Sequence, residues 1–149
     1  MLKENTDLFD RFTRVCENRS FYTRSVLSCL EEIQNQQAVE INKKVLAESR
    51  EKLRESIFEF NTSWNYFRVM LRNRFGADAE SKFYKMGDTS TVVEEFRLLQ
   101  AGTYSQLVRY DAGQPVDLGK IADLKRQRDD LAETVFNLLN LIEPKIRPN

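Results

Sequence analysis

The chain has 149 residues, of which 41% are hydrophobic and 31% are charged, a composition typical of one folded globular domain and not of a disordered segment. Lysine and arginine together number 23, as do aspartate and glutamate, so the formal net charge is zero. Because proteins that neutralise many phosphates usually carry a basic excess, this balance disfavours a dedicated nucleic-acid-binding protein.

The chain contains no histidine. This removes the commonest general base and the commonest ligand of transition metals. The five glycines are widely separated, so they form no glycine-rich phosphate loop, and no serine lies in a Gly-x-Ser-x-Gly motif. We therefore predict that the protein is not an enzyme and that it has no metal site and no cofactor.

Membrane insertion and secretion are also disfavoured by the sequence. No stretch of about 18 apolar residues is present, and the segment Met1–Asn5 lacks the apolar core of a signal peptide. If Cys16 and Cys29 both lie on the first helix, they are roughly 20 Å apart and cannot form a disulfide with each other. We expect two buried thiols, a cytoplasmic location and no membrane partner.

The first glycine of the chain is Gly76 and no proline precedes it, which predicts two long helices before that residue. The first helix is predicted at about 5–36, and Asn5, Thr6 or Asp7 can cap its start. Apolar residues recur in it at alternating steps of four and three, the spacing of a coiled coil or bundle. The line consists of Leu8, Phe12, Val15, Tyr22, Val26, Cys29 and Ile33.

A polar segment then predicts a turn within 35–43, although no glycine marks it. The second helix is predicted at about 42–75, because the same apolar spacing resumes there and Gly76 is a good C-terminal stop. Two such antiparallel helices form a long hairpin, which needs further helices to cover its apolar side. The second line consists of Leu46, Leu53, Ile57, Phe60, Trp64, Phe67 and Leu71.

Three shorter helical segments follow the hairpin. The first is a short helix at 77–86, which Gly87 ends. The next is predicted at about 89–111, and Thr91 with Glu94 near its start has the spacing of a capping box.

The helix predicted at about 89–111 contains Gly102. Glycine within a helix costs about 1 kcal/mol relative to alanine, so its presence predicts a close crossing with another helix at this position. The last helix is predicted at about 117–143, with Asp117 as its N-cap and Pro144 as its end. We predict one all-α domain spanning 1–149. Its architecture is an antiparallel four-helix bundle with a long N-terminal hairpin and the short extra helix.

Two arginines, Arg19 and Arg128, fall on the apolar lines of the first and last helices. They can form a buried polar layer in which each guanidinium pairs with a carboxylate, or together bind an anionic ligand. The alternative that we favour is a position at the rim, with the methylene groups on the core and the charged head in water.

The densest aromatic stretch of the chain is 57–67. The second helix directs three of its residues to the core: Phe60, Trp64 and Phe67. Phe58 and Tyr66 lie off that line and, with Val69, form a second face that is poor in charge and typical of binding hot spots. We predict a protein interface that includes Phe58, Trp64, Tyr66 and Val69.

Basic residues are interleaved with aromatic ones between 68 and 85, a pattern that can contact phosphates and stack bases. A charged helix end followed by a short amphipathic helix explains the same residues. The predicted set for anion or nucleic-acid contact is Arg68, Arg72, Arg74, Lys82 and Lys85.

Our leading hypothesis is a non-enzymatic protein–protein interaction module, acting as a subunit, adaptor, chaperone or inhibitor in a larger assembly. The partner is another protein or a second copy of the chain, because a hairpin longer than its cover exposes apolar surface. The alternative is a small accessory subunit that contacts a nucleic-acid backbone through the basic segment at 68–85.

Overall fold

Five helices form the part of the chain, residues 2–146, that a computed structural model describes. No strand occurs among these residues, and the predicted all-α bundle with a long hairpin and a short extra helix is confirmed. None of the described helices combines the length and the apolarity that crossing a membrane requires. The helices are α1 (Leu2–Gln34), α2 (Val39–Phe75), α3 (Ala77–Phe83), α4 (Val92–Asp111) and α5 (Leu118–Ile146).

Helix bounds differ from the predicted ones at three places in the second half of the chain. Helix α3 ends at Phe83 and not at 86, because Tyr84 adopts an extended conformation with φ −153° and ψ 132°. Helix α4 begins after Thr91, whose Oγ1 accepts a hydrogen bond from the Glu94 backbone N–H at 3.4 Å, so the predicted cap is confirmed. Helix α5 continues through Pro144, where the prediction ended it. Proline removes one backbone hydrogen bond, but its ring fixes φ near the helical value.

The hairpin starts earlier than the sequence indicates, because α1 begins at Leu2 and α2 begins at Val39. The connection uses Gln36 and Ala38 with positive φ angles of 58° and 41°. Left-handed backbone costs roughly 1–2 kcal/mol for a residue with a Cβ atom, which is why glycine usually marks such turns. The predicted turn is present, but two non-glycine residues supply its left-handed conformation.

We expect Ala38→Gly to raise the free energy of unfolding by about 0.5–1 kcal/mol. Glycine removes the left-handed penalty, and the gain is reduced because glycine also makes the unfolded chain more flexible. Urea unfolding followed by circular dichroism measures the change. The matched control is Ala132→Gly at an exposed site within α5, which should lose about 1 kcal/mol. Equal losses in the two variants would contradict the left-handed conformation at Ala38.

Helices α1 and α2 pack closely because α2 presents small and large buried residues in alternation. Ser25 of α1 and Ser49 of α2 lie with their hydroxyl oxygens 2.6 Å apart. Small side chains let two helix backbones approach each other, while the large residues between them fill the core. The small buried residues recur at every seventh position: Asn42, Ser49, Ser56 and Ser63.

A cluster of buried phenylalanine rings fills the core at the end of the hairpin that lies away from its turn. Phe83 of the short helix α3 lies at its centre, with ring centroids 5.5 Å from Phe12, 6.2 Å from Phe60 and 6.4 Å from Phe67. The contacts of Phe83 with Phe12 and Phe67 are edge-to-face, a geometry that contributes beyond simple burial. Although α3 is only 7 residues long, it therefore closes the core between α1 and α2.

Helices α4 and α5 cross closely at Gly102. A Cβ atom at this position would collide with the side chain of Leu124 on α5. The predicted close crossing is thus confirmed. The last helix is capped as predicted, since Asp117 Oδ1 accepts a hydrogen bond from the Lys120 backbone N–H at 3.1 Å.

Candidate functional site

A cleft of about 670 Å³ separates α2 from α4 and is the candidate functional site. Helix α1 contributes Arg19 and Thr23 to it. Helices α2 and α4 each pack on other helices, but they face each other across this opening. The apolar part of the lining consists mainly of Leu46, Leu53, Ile57, Leu99 and Leu107.

Arg19 is almost completely buried, with 3% of its surface exposed. Its guanidinium carbon lies 4.6 Å from the ring centroids of both Phe60 and Phe96, so the cation is held between two aromatic rings. Its Nη2 donates a hydrogen bond to Gln100 Oε1 at 2.8 Å and a longer one to the Phe96 carbonyl at 3.4 Å. Among the described residues, no carboxylate forms an ion pair with Arg19.

The charge of Arg19 persists despite burial. Burial lowers the pKa of Arg19 to about 10, so the guanidinium is still protonated at neutral pH. The nearby Cys16 does not neutralise it, because burial raises the pKa of that thiol and keeps it protonated. The cleft therefore contains a buried positive charge without a matching negative one.

The cations nearer the rim differ from Arg19 because each has an acidic partner. Arg50 donates two hydrogen bonds to the Asp111 carboxylate, at 2.6 and 2.8 Å, and this hydrogen-bonded pair raises the pKa of Arg50 and lowers that of Asp111. Arg54 forms an ion pair with Glu51 on the same helix. Since Arg50 lies on α2 and Asp111 ends α4, the first pair also joins the two walls of the cleft.

A second unusual polar group of the cleft is the hydroxyl of Thr103. This residue is 2% exposed, and its Oγ1 has no hydrogen-bond partner among the described residues. Thr23, which is also buried in the cleft, instead donates to the Arg19 carbonyl at 2.8 Å. A buried hydroxyl without a hydrogen-bond partner costs about 1–3 kcal/mol. The wall of the cleft therefore contains an unsatisfied hydroxyl group at Thr103.

The predicted interface residues do not form one surface. Trp64 is half-buried against Tyr84, at a ring-centroid distance of 5.2 Å. Tyr66 follows Trp64 by two positions, which corresponds to about 200° of rotation around an α-helix. Its side chain therefore lies on the side of α2 opposite to Trp64. There the Arg11 guanidinium covers its ring at 5.5 Å. The exposed members of the set are Phe58, Tyr66 and Val69.

The predicted basic segment is partly neutralised by acids. Arg68 and Arg72 approach Glu80 at 3.2 and 4.0 Å, and Arg74 approaches Glu4 at 3.4 Å. These ion pairs reduce the positive potential that a nucleic-acid backbone would meet. The other members of the predicted set are exposed lysines: Lys82 and Lys85.

Arg128 has a different environment from Arg19. It is half-buried, its Nε donates to the Ser20 carbonyl at 3.1 Å, and its Nη1 contacts Asp129 Oδ1 at 3.2 Å. The two arginines share no partner, so the structure does not bring them into one layer. The charged head of Arg128 is at the rim, while that of Arg19 is inside.

The remaining reactive groups do not form a second site. Both cysteines are free and buried on α1, as predicted. Burial raises the pKa of Glu95, with Thr134 Oγ1 as its hydrogen-bond donor at 3.0 Å. Within residues 2–146, no group of three or more acidic or thiol side chains is arranged to hold a metal ion.

Sequence reasoning identified Arg19 but missed the cleft around it. Gln100 and Thr103 carry no motif, and they become relevant only because α4 is held beside α1 and apart from α2. The signal available in the sequence was the interruption of an apolar line by Arg19. Neither the protein-family models nor the curated proteins nor the solved structures with which the chain was compared give a match.

Proposed function

We propose that this chain is a non-enzymatic interaction protein that binds another protein through the outer face of α2, defined by Phe58 and Val69. The observation that carries the proposal is the exposure of these side chains, 70% for Phe58 and 46% for Val69. They are eleven residues apart on one helix, which places them on the same side about three turns apart. A phenylalanine left in water at such a site is available to a partner.

The energetics of this face favour association. Burial of a phenylalanine side chain contributes about 1.5–3 kcal/mol, and aromatic residues dominate the binding energy of many interfaces. Tyr66 extends the same helix surface and is 48% exposed. The partner in this proposal is a different protein or a second copy of the chain.

The non-enzymatic part of the proposal is supported by the state of the nucleophilic side chains. Both thiols are buried on α1, and burial raises their pKa values, so neither is an activated thiolate at neutral pH. A catalytic thiol would normally show a lowered pKa at a site that a substrate can reach.

The nucleic-acid alternative is less well supported. Three of its five predicted contacts are arginines with acidic neighbours, namely Arg68, Arg72 and Arg74. A protein contact through Phe58 should respond weakly to salt, whereas a phosphate contact should weaken steeply as salt rises.

The test compares the wild type with Phe58→Ser/Val69→Ser by affinity capture from the source cells and by light scattering of the purified chain. We expect the wild type to retain a partner or to self-associate, and the double variant to lose most of that binding. The matched control is Phe136→Ser, which replaces a 60% exposed phenylalanine of α5 and should bind as the wild type does.

Three outcomes would contradict the proposal. One is a wild-type chain that is monomeric and captures nothing. Another is capture that the double variant retains in full. The third is a complex that nuclease treatment or moderate salt removes, which would favour the nucleic-acid alternative. Both serine variants should unfold within about 0.5 kcal/mol of the wild type, because their sites are exposed.

A further inference from the structure

The buried guanidinium of Arg19 is not part of the outer face of α2, so the proposed protein interface does not explain it. We propose that the cleft between α2 and α4 binds a small ligand with an apolar body and one carboxylate head, and that Arg19 receives the carboxylate. This site goes beyond the proposed protein interface and depends on different residues.

The first argument concerns charge. A buried ion is strongly destabilised unless an opposite charge accompanies it. Arg50 and Arg54 have acidic neighbours, but Arg19 is held only by two rings, an amide oxygen and a carbonyl oxygen. A single anionic head would complete the charge balance of the cleft.

The second argument concerns hydrogen-bonding capacity. A guanidinium has five N–H donors, and the two hydrogen bonds of Arg19 both use Nη2. Its Nε and Nη1 therefore keep N–H groups that no acceptor among the described residues takes. A carboxylate presents two oxygens and accepts two parallel, charge-assisted hydrogen bonds from an arginine, whereas a hydroxyl or carbonyl group presents one uncharged oxygen.

The Thr103 hydroxyl is a second polar group without a partner beside the cleft. It lines the same cleft, is buried and has no partner within residues 2–146. Its Oγ1 is enclosed by the protein, so a ligand in the cleft would bind it after rotation of the Thr103 side chain towards the opening. Thr103 on α4 and Arg19 on α1 therefore place two polar groups with unused hydrogen-bonding capacity beside one cleft.

The body of the ligand follows from the lining and the volume. Five branched aliphatic side chains and the Phe96 ring line the cleft, so an apolar chain or ring would make favourable apolar contacts there. The volume of about 670 Å³ lies within the 300–1,000 Å³ that small-molecule sites usually have.

A small ligand fits better than a helix of another protein. The Arg50–Asp111 ion pair joins α2 to α4 with two hydrogen bonds. An inserted helix is about 10 Å wide and would have to separate these walls. A flexible carboxylate can enter beside the ion pair and leave it intact.

The test uses dodecanoate and dodecan-1-ol as a matched pair of probes below their aggregation limits, with titration calorimetry and amide NMR on the full chain. We expect one dodecanoate per chain, at least about tenfold tighter than the alcohol, with shifts centred on the cleft. In Arg19→Met the two probes should bind equally weakly. In Phe58→Ser/Val69→Ser the affinity for dodecanoate should not change.

Thr103→Val gives a second measurement. Valine has a similar shape and lacks the hydroxyl, so we expect unchanged or higher stability together with weaker dodecanoate binding, by about threefold to tenfold. A loss of binding in a variant that is at least as stable as the wild type cannot be attributed to unfolding.

The proposal is wrong if dodecanoate and dodecan-1-ol bind alike, if Arg19→Met binds dodecanoate as the wild type does, or if the shifts lie outside the cleft. It is also wrong if an amphipathic helical peptide with one central glutamate binds there and dodecanoate does not. None of these results bears on partner capture through Phe58, so the two proposals can fail independently.

Discussion

Phe83→Ala is expected to lower the free energy of unfolding by about 3–5 kcal/mol, the largest effect of any single substitution considered for this protein. Phe83 is fully buried and contacts three other phenylalanine rings, on α1 and α2. Truncation would remove the ring contacts and leave a cavity, because the surrounding helices are held by the hairpin and can relax only in part.

Urea unfolding followed by circular dichroism measures this loss. The control is Phe136→Ala, since Phe136 is 60% exposed on α5 and its truncation should change the stability by less than about 0.5 kcal/mol. A small loss for Phe83→Ala would mean that α3 does not close the core in solution. Proteolysis within the segment that precedes α4 would then be expected in the wild type as well.

Arg19→Ala is expected to lower the free energy of unfolding by about 2 kcal/mol, whereas Arg19→Met should lie within about 1 kcal/mol of the wild type. Burial of the charge destabilises the fold, as the lowered pKa of about 10 indicates. The two aromatic rings and the hydrogen bond to Gln100 offset this cost. Methionine removes both effects and keeps the space filled.

Alanine differs from methionine because it empties the space between Phe60 and Phe96. The two variants therefore separate the packing of the arginine side chain from its charge. Equal losses for alanine and methionine would show that the guanidinium contacts with the two rings and Gln100 outweigh the cost of burying the charge. Denaturant unfolding at neutral pH measures both values. A stable Arg19→Met variant also makes the binding test with dodecanoate interpretable.

The long helices were predictable because helical periodicity is a local property. Apolar steps of four and three identified α1 and α2, and Gly76 ended α2 with a positive φ of 97° where the sequence placed its stop. The caps at Thr91 and Asp117 were equally local, because a side-chain oxygen binds a backbone N–H only three residues away.

At two places a local conformational rule is outweighed by its surroundings. The turn before α2 was predicted, but its Gln36 and Ala38 adopt left-handed conformations that neither residue prefers. Pro144 does not end α5, because a proline ring is compatible with helical φ although it removes a hydrogen bond. The residue type alone does not show whether the surrounding structure outweighs the local preference.

What the sequence by itself determined is the set of helices, the caps at Thr91 and Asp117, and the inward direction of Phe60 and Phe67. Only the tertiary structure decided that Arg19 is a buried cation without an acid, that Thr103 lacks a partner and that a cleft lies between α2 and α4. The physical reason is the separation along the chain of the residues that interact. Periodicity and capping depend on residues within a few positions, whereas burial and charge compensation depend on side chains that folding brings together from α1, α2 and α4.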